Sequence, residues 1–106
     1  MQNILSLNSF KQQLEEHERA AILLFDPENE SSRSVFRSIT EATYLSEKLP
    51  VFVADIREVS DIQSHFQVPE IPSLLFFVKA KLVEVVNGSH ESEFTKALIN
   101  NDFAKE

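Results

Sequence analysis

Residues 68–77 read Val-Pro-Glu-Ile-Pro-Ser-Leu-Leu-Phe-Phe, and this stretch decides which fold the rest of the chain can form. Pro69 and Pro72 each fix one backbone dihedral angle and remove one hydrogen-bond donor, so together they predict a rigid turn. The apolar run over 74–78 is too short for a buried helix and is typical of a strand covered on both faces. A proline directly before a strand is tolerated because it takes no donor from the sheet.

The chain downstream of this strand predicts a hairpin and a final helix. Ala80 and Lys81 leave only a tight connection to a strand over 82–86, so the two strands must be antiparallel. Ser89 is the expected N-cap of the last helix. That helix places Glu91 and Glu93 in its first turn and buries Phe94, Ala97 and Leu98, and residues 101–106 are interpreted as a frayed tail.

Upstream, strands and helices alternate. The predicted elements are a strand from Ile4, a helix capped by Asn8 and ending near Glu16, a strand over 20–25, a helix from Ser31 or Ser32 to about Glu47, a strand over 51–54, and a short helix over 61–66 with a Ser60–Gln63 capping box. Most of the phenylalanines fall at predicted core positions, namely Phe10, Phe25, Phe36, Phe52, Phe66, Phe76, Phe77 and Phe94.

The resulting order is βαβαβαββα. Strands that alternate with helices pair in parallel through crossovers, whereas the last two strands form an antiparallel hairpin. The sequence therefore predicts an α/β fold, a mixed central sheet with helices on both faces, in a single domain over residues 1–106.

The motif over 68–77 resembles the thioredoxin-like superfamily, in which Ile-Pro and a Ser or Thr precede an apolar strand. Gly88 lies sixteen residues after Pro72, where thioredoxins place a glycine, and the strands over 21–25 and 51–55 also match. The similarity extends from about Ile4 to Ile99. It implies that the Ile71–Pro72 bond is cis and that the backbone of Ile71 can pair with an extended peptide.

The resemblance ends at the redox motif, because the chain contains no cysteine. The family carries two cysteines at the start of the second helix. A gap-free match puts Glu30 and Arg33 at those positions, whereas a slip of one residue puts Ser31 and Ser34 there. Replacement of natural cysteines by serine is disfavoured, because no Ser-x-x-Ser fits without the slip. Without sulfur, the chain cannot exchange disulfides by itself.

Composition limits the other function classes. The chain has 17 acidic and 10 basic residues and a formal net charge of -7, which argues against binding to nucleic acid or to an anionic membrane. No signal peptide or membrane-spanning run is visible, so a cytoplasmic protein is expected. A single glycine excludes a glycine-rich phosphate loop, and three widely spaced histidines predict no metal site. We expect no cofactor and no catalytic residue, and we interpret Ser31 or Ser32 as a helix cap rather than a nucleophile.

Acidic residues cluster where the resemblance places the substrate groove. The loop around residues 26–31 would lie beside the loop before Pro72, which brings four carboxylates onto one rim with one arginine as a partial counter-charge. The predicted partner-binding residues are Asp26, Glu28, Glu30, Arg33, Glu70, Ile71 and Pro72. A solvated acidic surface without a partner is the competing interpretation. If the rim binds, its acidity favours a basic or apolar protein or peptide.

These observations lead to two functional hypotheses. The first is a non-catalytic, thioredoxin-like binding module, acting as an adaptor, assembly factor or chaperone-like protein through the groove beside Pro72. The alternative is an accessory or regulatory subunit in thiol-disulfide metabolism that acts through the cysteines of a partner.

Overall fold

The computed structural model of the chain describes residues 2–43, 49–88 and 90–103, with side chains through residue 100. Its elements are β1 (Gln2–Asn3), α1 (Leu7–Glu16), β2 (Arg19–Phe25), α2 (Glu30–Thr43), β3 (Val51–Asp55), α3 (Asp61–His65), β4 (Ser73–Val78), β5 (Lys81–Asn87) and α4 (Glu91–Phe103). This order is the predicted βαβαβαββα.

The described strands form one mixed five-stranded sheet in the order β1-β3-β2-β4-β5. β3 pairs in parallel with both β1 and β2. β4 pairs antiparallel with β2 and with β5, and a bulge interrupts the second ladder between Phe76 and Phe77. The predicted α/β architecture is therefore confirmed, including the hairpin at the end of the sheet.

Each face of the sheet carries its own hydrophobic core. Alternate residues of β2 point to opposite faces: Ile22 and Leu24 join the core under α1 and α3, whereas Ala21 and Leu23 join the core under α2 and α4. All four side chains are fully buried. The continuous apolar run in β2 is thus explained, because a central strand with helices on both sides has no solvent-facing positions.

The helix starts differ from the predictions because other side chains reach the free N–H groups. Ser6, not Asn8, caps α1: its hydroxyl accepts a hydrogen bond from the N–H of Ser9 at 3.0 Å. Ser60 makes no side-chain cap for α3. The proposed box partner, Gln63, instead donates to the carbonyl of Val68 at 3.1 Å and closes the turn after the helix.

Other boundaries also shift. β1 covers Gln2–Asn3, so the strand predicted from Ile4 lies earlier, although the N–H of Ile4 still bonds to Val53. α4 continues to Phe103, so part of the predicted tail over 101–106 is helical. The predicted end of α2 near Glu47, the Ser89 cap and residues 104–106 lie outside the described residues.

The phenylalanines divide into two groups. Phe10, Phe52, Phe76, Phe77 and Phe94 are buried as predicted. Phe25, Phe36 and Phe66 are only half-buried and pack against the edges of the two cores. The predicted core therefore includes three phenylalanines that are only partly buried.

Candidate functional site

The loop before β4 forms a tight turn around the residues predicted to bind a partner. The Ile71–Pro72 peptide bond is cis. Pro72 and Ser73 are buried, and the Ser73 hydroxyl donates a hydrogen bond to the carbonyl of Glu70. Glu70 itself is exposed, and Ile71 is half-buried against the core under α1 and α3.

Strand register places this loop beside the loop that follows β2. Leu24 of β2 lies opposite Ser73 of β4 in an antiparallel ladder. β2 ends one residue later, at Phe25, and β4 begins at Ser73, directly after the loop that carries Ile71 and Pro72. The two predicted halves of the site therefore meet at one end of the sheet. We call these two loops, residues 26–33 and 70–72, the Pro72 site.

The backbone of Ile71 remains available for pairing. Within the described residues, neither its N–H nor its C=O takes part in a hydrogen bond. A main-chain donor and acceptor without a partner in their own chain must bond to water or to another chain. This is the feature an extended peptide uses when it adds to a backbone edge.

The loop after β2 is organised by Asp26 and Asn29. The Asp26 carboxylate accepts the N–H of Glu28 at 2.9 Å, and the Asp26 carbonyl accepts the N–H of Asn29 at 2.9 Å. The Asn29 side chain then accepts the N–H of Ser32 at 3.0 Å. Asn29 is therefore the N-cap of α2, and the interpretation of Ser31 or Ser32 as the cap is wrong.

Ser32 has a different environment from the one predicted. Its side chain is fully buried, and its hydroxyl has no hydrogen-bond partner within the described part of the chain. The helix begins at Glu30, so Ser32 falls on the inward-facing stripe that also contains Val35 and Ile39. It is consequently a core residue, because helical periodicity turns it toward the sheet.

Two arginines contact this loop, and sequence analysis found only one of them. Arg33 turns back and donates to the carbonyl of Pro27 at 2.9 Å. Arg57, which follows β3, donates to Glu28 Oε2 at 2.8 Å and to Asp55 Oδ2 at 3.3 Å. The predicted strand pattern could have indicated that Arg57 lies near this loop. β2 and β3 are parallel, so the residues that follow these two strands meet at one edge of the sheet.

Arg57 also controls the ionisation of Asp55. Burial raises the pKa of this carboxyl, but the hydrogen bonds and positive charge of Arg57 together outweigh that effect, so the pKa lies below its ordinary value. The hydrogen bond to Asp55 is in turn the largest cause of the raised pKa of Arg57, and the charges of Glu28 and Asp26 add to it. The edge of the site is thus a compact network of opposite charges.

An aromatic pair lies on the α2 side of the same sheet end. The rings of Phe25 and Phe36 stack with centroids 4.8 Å apart and an interplanar angle of 15°. Both side chains are half-buried. Phe25 is the last residue of β2 and lies at the same end of the sheet as the Pro72 site, which gives the site an apolar neighbour as well as an acidic rim.

The structure brings the predicted residues together in two groups. Asp26, Glu28, Glu30 and Arg33 lie on the loop after β2 and the start of α2, and Glu70, Ile71 and Pro72 lie on the loop before β4. Within the described ranges, no hydrogen bond or ion pair joins one group to the other. Their role in binding stays a prediction.

The described residues form neither a metal-binding cluster nor a membrane-spanning helix. Across 2–43, 49–88 and 90–103, no group of three or more His, Asp or Glu side chains is arranged to hold a metal ion. No helix in these ranges has the length and apolar composition required to cross a bilayer.

Comparison with known proteins identifies the fold. No family model and no curated protein matches the sequence. The structure is similar to thioredoxin from Plasmodium falciparum, with a TM-score of 0.88 at 14% identity over 94% of this chain and 98% of that one. Mitochondrial thioredoxin 3 from Saccharomyces cerevisiae gives 0.85 at 13% identity over 94% of each chain. Thioredoxin from Malassezia sympodialis gives 0.84 at 19% identity over 96% and 90%.

These similarities show the fold alone, because all three identities are low. The chain has the thioredoxin fold, as the motif over 68–77 implied, and its 106 residues contain no cysteine. A chain with this fold and no cysteine cannot by itself form the disulfide of thioredoxin chemistry.

Proposed function

We propose that the chain is a non-catalytic protein-binding module, an adaptor or assembly factor, whose docking surface is the Pro72 site. The observation that carries the proposal is the backbone of Ile71. Its N–H and C=O have no partner within the described residues, although Ile71 lies directly beside a paired strand. An extended segment of another protein would satisfy both groups at once.

The surroundings of Ile71 support the choice of partner. Glu70 precedes it in the chain, and Asp26 follows β2, whose end pairs with the start of β4. A basic side chain on the bound segment would meet carboxylates on either side, and opposite charges raise both the association rate and the selectivity. The half-buried pair of Phe25 and Phe36 offers apolar contact at the same end of the sheet.

The absence of cysteine makes binding the function to test first. The fold usually presents reactive sulfur at the start of α2, where this chain has Glu30 after an Asn29 cap. Carboxylate and amide groups cannot take over thiolate chemistry. The alternative role, an accessory subunit in thiol-disulfide metabolism, would require the cysteines of the bound partner.

Affinity capture from a lysate of the source organism tests this proposal. Glu70→Lys reverses the charge at an exposed position beside Ile71. Glu16→Lys makes the same change at an exposed position at the C-terminal end of α1, near the opposite end of β2. After both variants are shown to fold, we expect partners to be lost with Glu70→Lys and retained with Glu16→Lys. Equal capture by all three proteins would contradict a docking role for the Pro72 site.

The captured partners also decide between the two roles. A stable complex that forms equally in reducing and oxidising buffer would support the binding module. A partner whose cysteines change oxidation state only when this chain is present would instead support the accessory role in thiol-disulfide metabolism.

A further inference from the structure

Within the described residues, some of the charged side chains around the Pro72 site have an ion-pair partner and others do not. Two arginines and five carboxylates lie on its two loops and at the neighbouring end of β3. The five carboxylates belong to Asp26, Glu28, Glu30, Asp55 and Glu70. Arg57 forms both ion pairs found in the described residues, one with Glu28 and one with Asp55. Among the described residues, Arg33 donates to the backbone carbonyl of Pro27 and forms no ion pair.

The two ion pairs of Arg57 differ in strength. Asp55 accepts from the backbone N–H of Arg57 at 2.9 Å and from its guanidinium, and only 17% of the Asp55 side chain is exposed. Glu28 makes a single contact with Arg57 and is 73% exposed. A cation arriving from solvent can therefore compete for Glu28, whereas Asp55 stays with Arg57.

We propose that Arg57 determines the specificity of the Pro72 site, by acting as a resident counter-ion that competes with the basic side chain of a bound segment for Glu28. This inference rests on the proposed binding function. The partner is an extended segment that pairs with the backbone of Ile71 and directs a Lys or Arg side chain toward Glu28 on the acidic rim. Arg57 weakens the attraction, so the site selects segments whose basic residue is placed correctly over segments that are merely cationic.

The test uses a random peptide library displayed on phage and selected against four folded proteins: the native chain, Arg57→Gln, Arg33→Gln and Glu70→Lys. Arg57→Gln and Arg33→Gln change the net charge equally, but only the first releases carboxylates. For a basic peptide enriched by the native chain, we expect Arg57→Gln to bind roughly two- to fivefold more tightly than Arg33→Gln, the range expected for one exposed ion pair. A peptide with its basic residue replaced by Gln should not distinguish the two variants.

The outcomes distinguish the role of Arg57 from the docking function of the Pro72 site. Equal tightening in the two arginine variants would show that net charge alone matters and would overturn the role of Arg57. Peptides that bind the native chain but not Glu70→Lys would still support the docking site in that case. If no peptide prefers the native chain over Glu70→Lys, both the docking site and the role of Arg57 are wrong.

Discussion

Arg57 Nη1 lies 2.8 Å from Glu28 Oε2, and this contact links the turn after β3 to the turn after β2. The two residues are 29 positions apart in the chain. The parallel pairing of β2 and β3 brings the ends of both strands to the same edge, where Phe25 lies opposite Asp55. A long-range ion pair thus borders the surface that we propose to bind partners.

The core under α1 and α3 is centred on Phe10. Its ring makes edge contacts with Phe52, Phe66 and Phe77, at centroid distances of 6.1, 6.3 and 5.3 Å. We expect Phe10→Ala to lower the free energy of unfolding by about 3–5 kcal/mol, because a large cavity remains among these rings. Urea unfolding followed by circular dichroism measures the change.

A matched variant separates burial from mere loss of an aromatic ring. Phe36 is half-buried, and within the described part of the chain its ring contacts that of Phe25. Phe36→Ala should cost roughly half as much as Phe10→Ala, since part of its surface already faces water. An equal cost for the two variants would contradict the difference in burial between the two positions.

The start of α2 allows a direct comparison of two possible caps. Asn29→Ala removes the side-chain acceptor of the Ser32 N–H and should lower the free energy of unfolding by about 1 kcal/mol. Ser31→Ala should change it by less than about 0.5 kcal/mol. Chemical unfolding of both variants checks this, and a larger cost for Ser31→Ala would restore the cap that the sequence predicted.

Ser32 should tolerate removal of its hydroxyl. A buried hydroxyl without a partner gains nothing from the interior and has lost its hydration. Alanine is also the better helix former. We expect Ser32→Ala to leave the free energy of unfolding unchanged or to raise it by up to about 1 kcal/mol, measured by urea unfolding. A clear loss of stability would mean that the hydroxyl has a partner after all.

The sequence predicted the sheet better than it predicted the helix ends, for a physical reason. The apolar runs in β2 and β4 are buried on both faces, so their pattern is dictated by packing over many neighbours. A helix cap depends on one side chain reaching one N–H. Ser6, Asn8, Asn29 and Ser31 are all plausible caps by type, and only backbone geometry selects among them.

The candidate site was predictable only in part, for a related reason. The loop that begins at Asp26 and the loop that carries Glu70, Ile71 and Pro72 lie at the same end of the sheet, because β2 and β4 are paired. Arg57 was missed because it is one exposed arginine outside any motif. Its two ion pairs depend on rotamers and loop shape, which local sequence patterns do not encode.

Backbone conformation at the end of β5 gives a prediction that is free of packing effects. Gly88 has a φ of +118°, and a Cβ at this position would meet no atom within 4 Å. Gly88→Ala should therefore cost about 1–3 kcal/mol through backbone strain alone. Ala80 has a φ of 68° in the turn before β5, so Ala80→Gly should relieve strain and cost nothing or stabilise slightly. Thermal unfolding that shifts both variants in the same direction would argue against this explanation.

The ion pair of Arg57 and Asp55 should make stability depend on pH. The pKa of Asp55 is below its ordinary value of 3.8 in the folded chain, despite the opposing effect of burial. A carboxyl with a lowered pKa stabilises the fold above its unfolded pKa, and this contribution is lost as the pH falls through the folded pKa. The native chain should therefore be more stable than Arg57→Gln at neutral pH, and this difference should shrink below about pH 4.

Thermal unfolding from pH 7 to pH 2.5 measures the difference at each pH, with Arg33→Gln as the matched control. Arg33 donates to the carbonyl of Pro27, which does not titrate, so its loss should produce a nearly constant difference in Tm over this range. Both guanidinium groups are exposed, so added salt should reduce the neutral-pH effect of Arg57→Gln. A difference for Arg57→Gln that stays constant from pH 7 to pH 2.5 would contradict a stabilising effect that depends on the charge of Asp55.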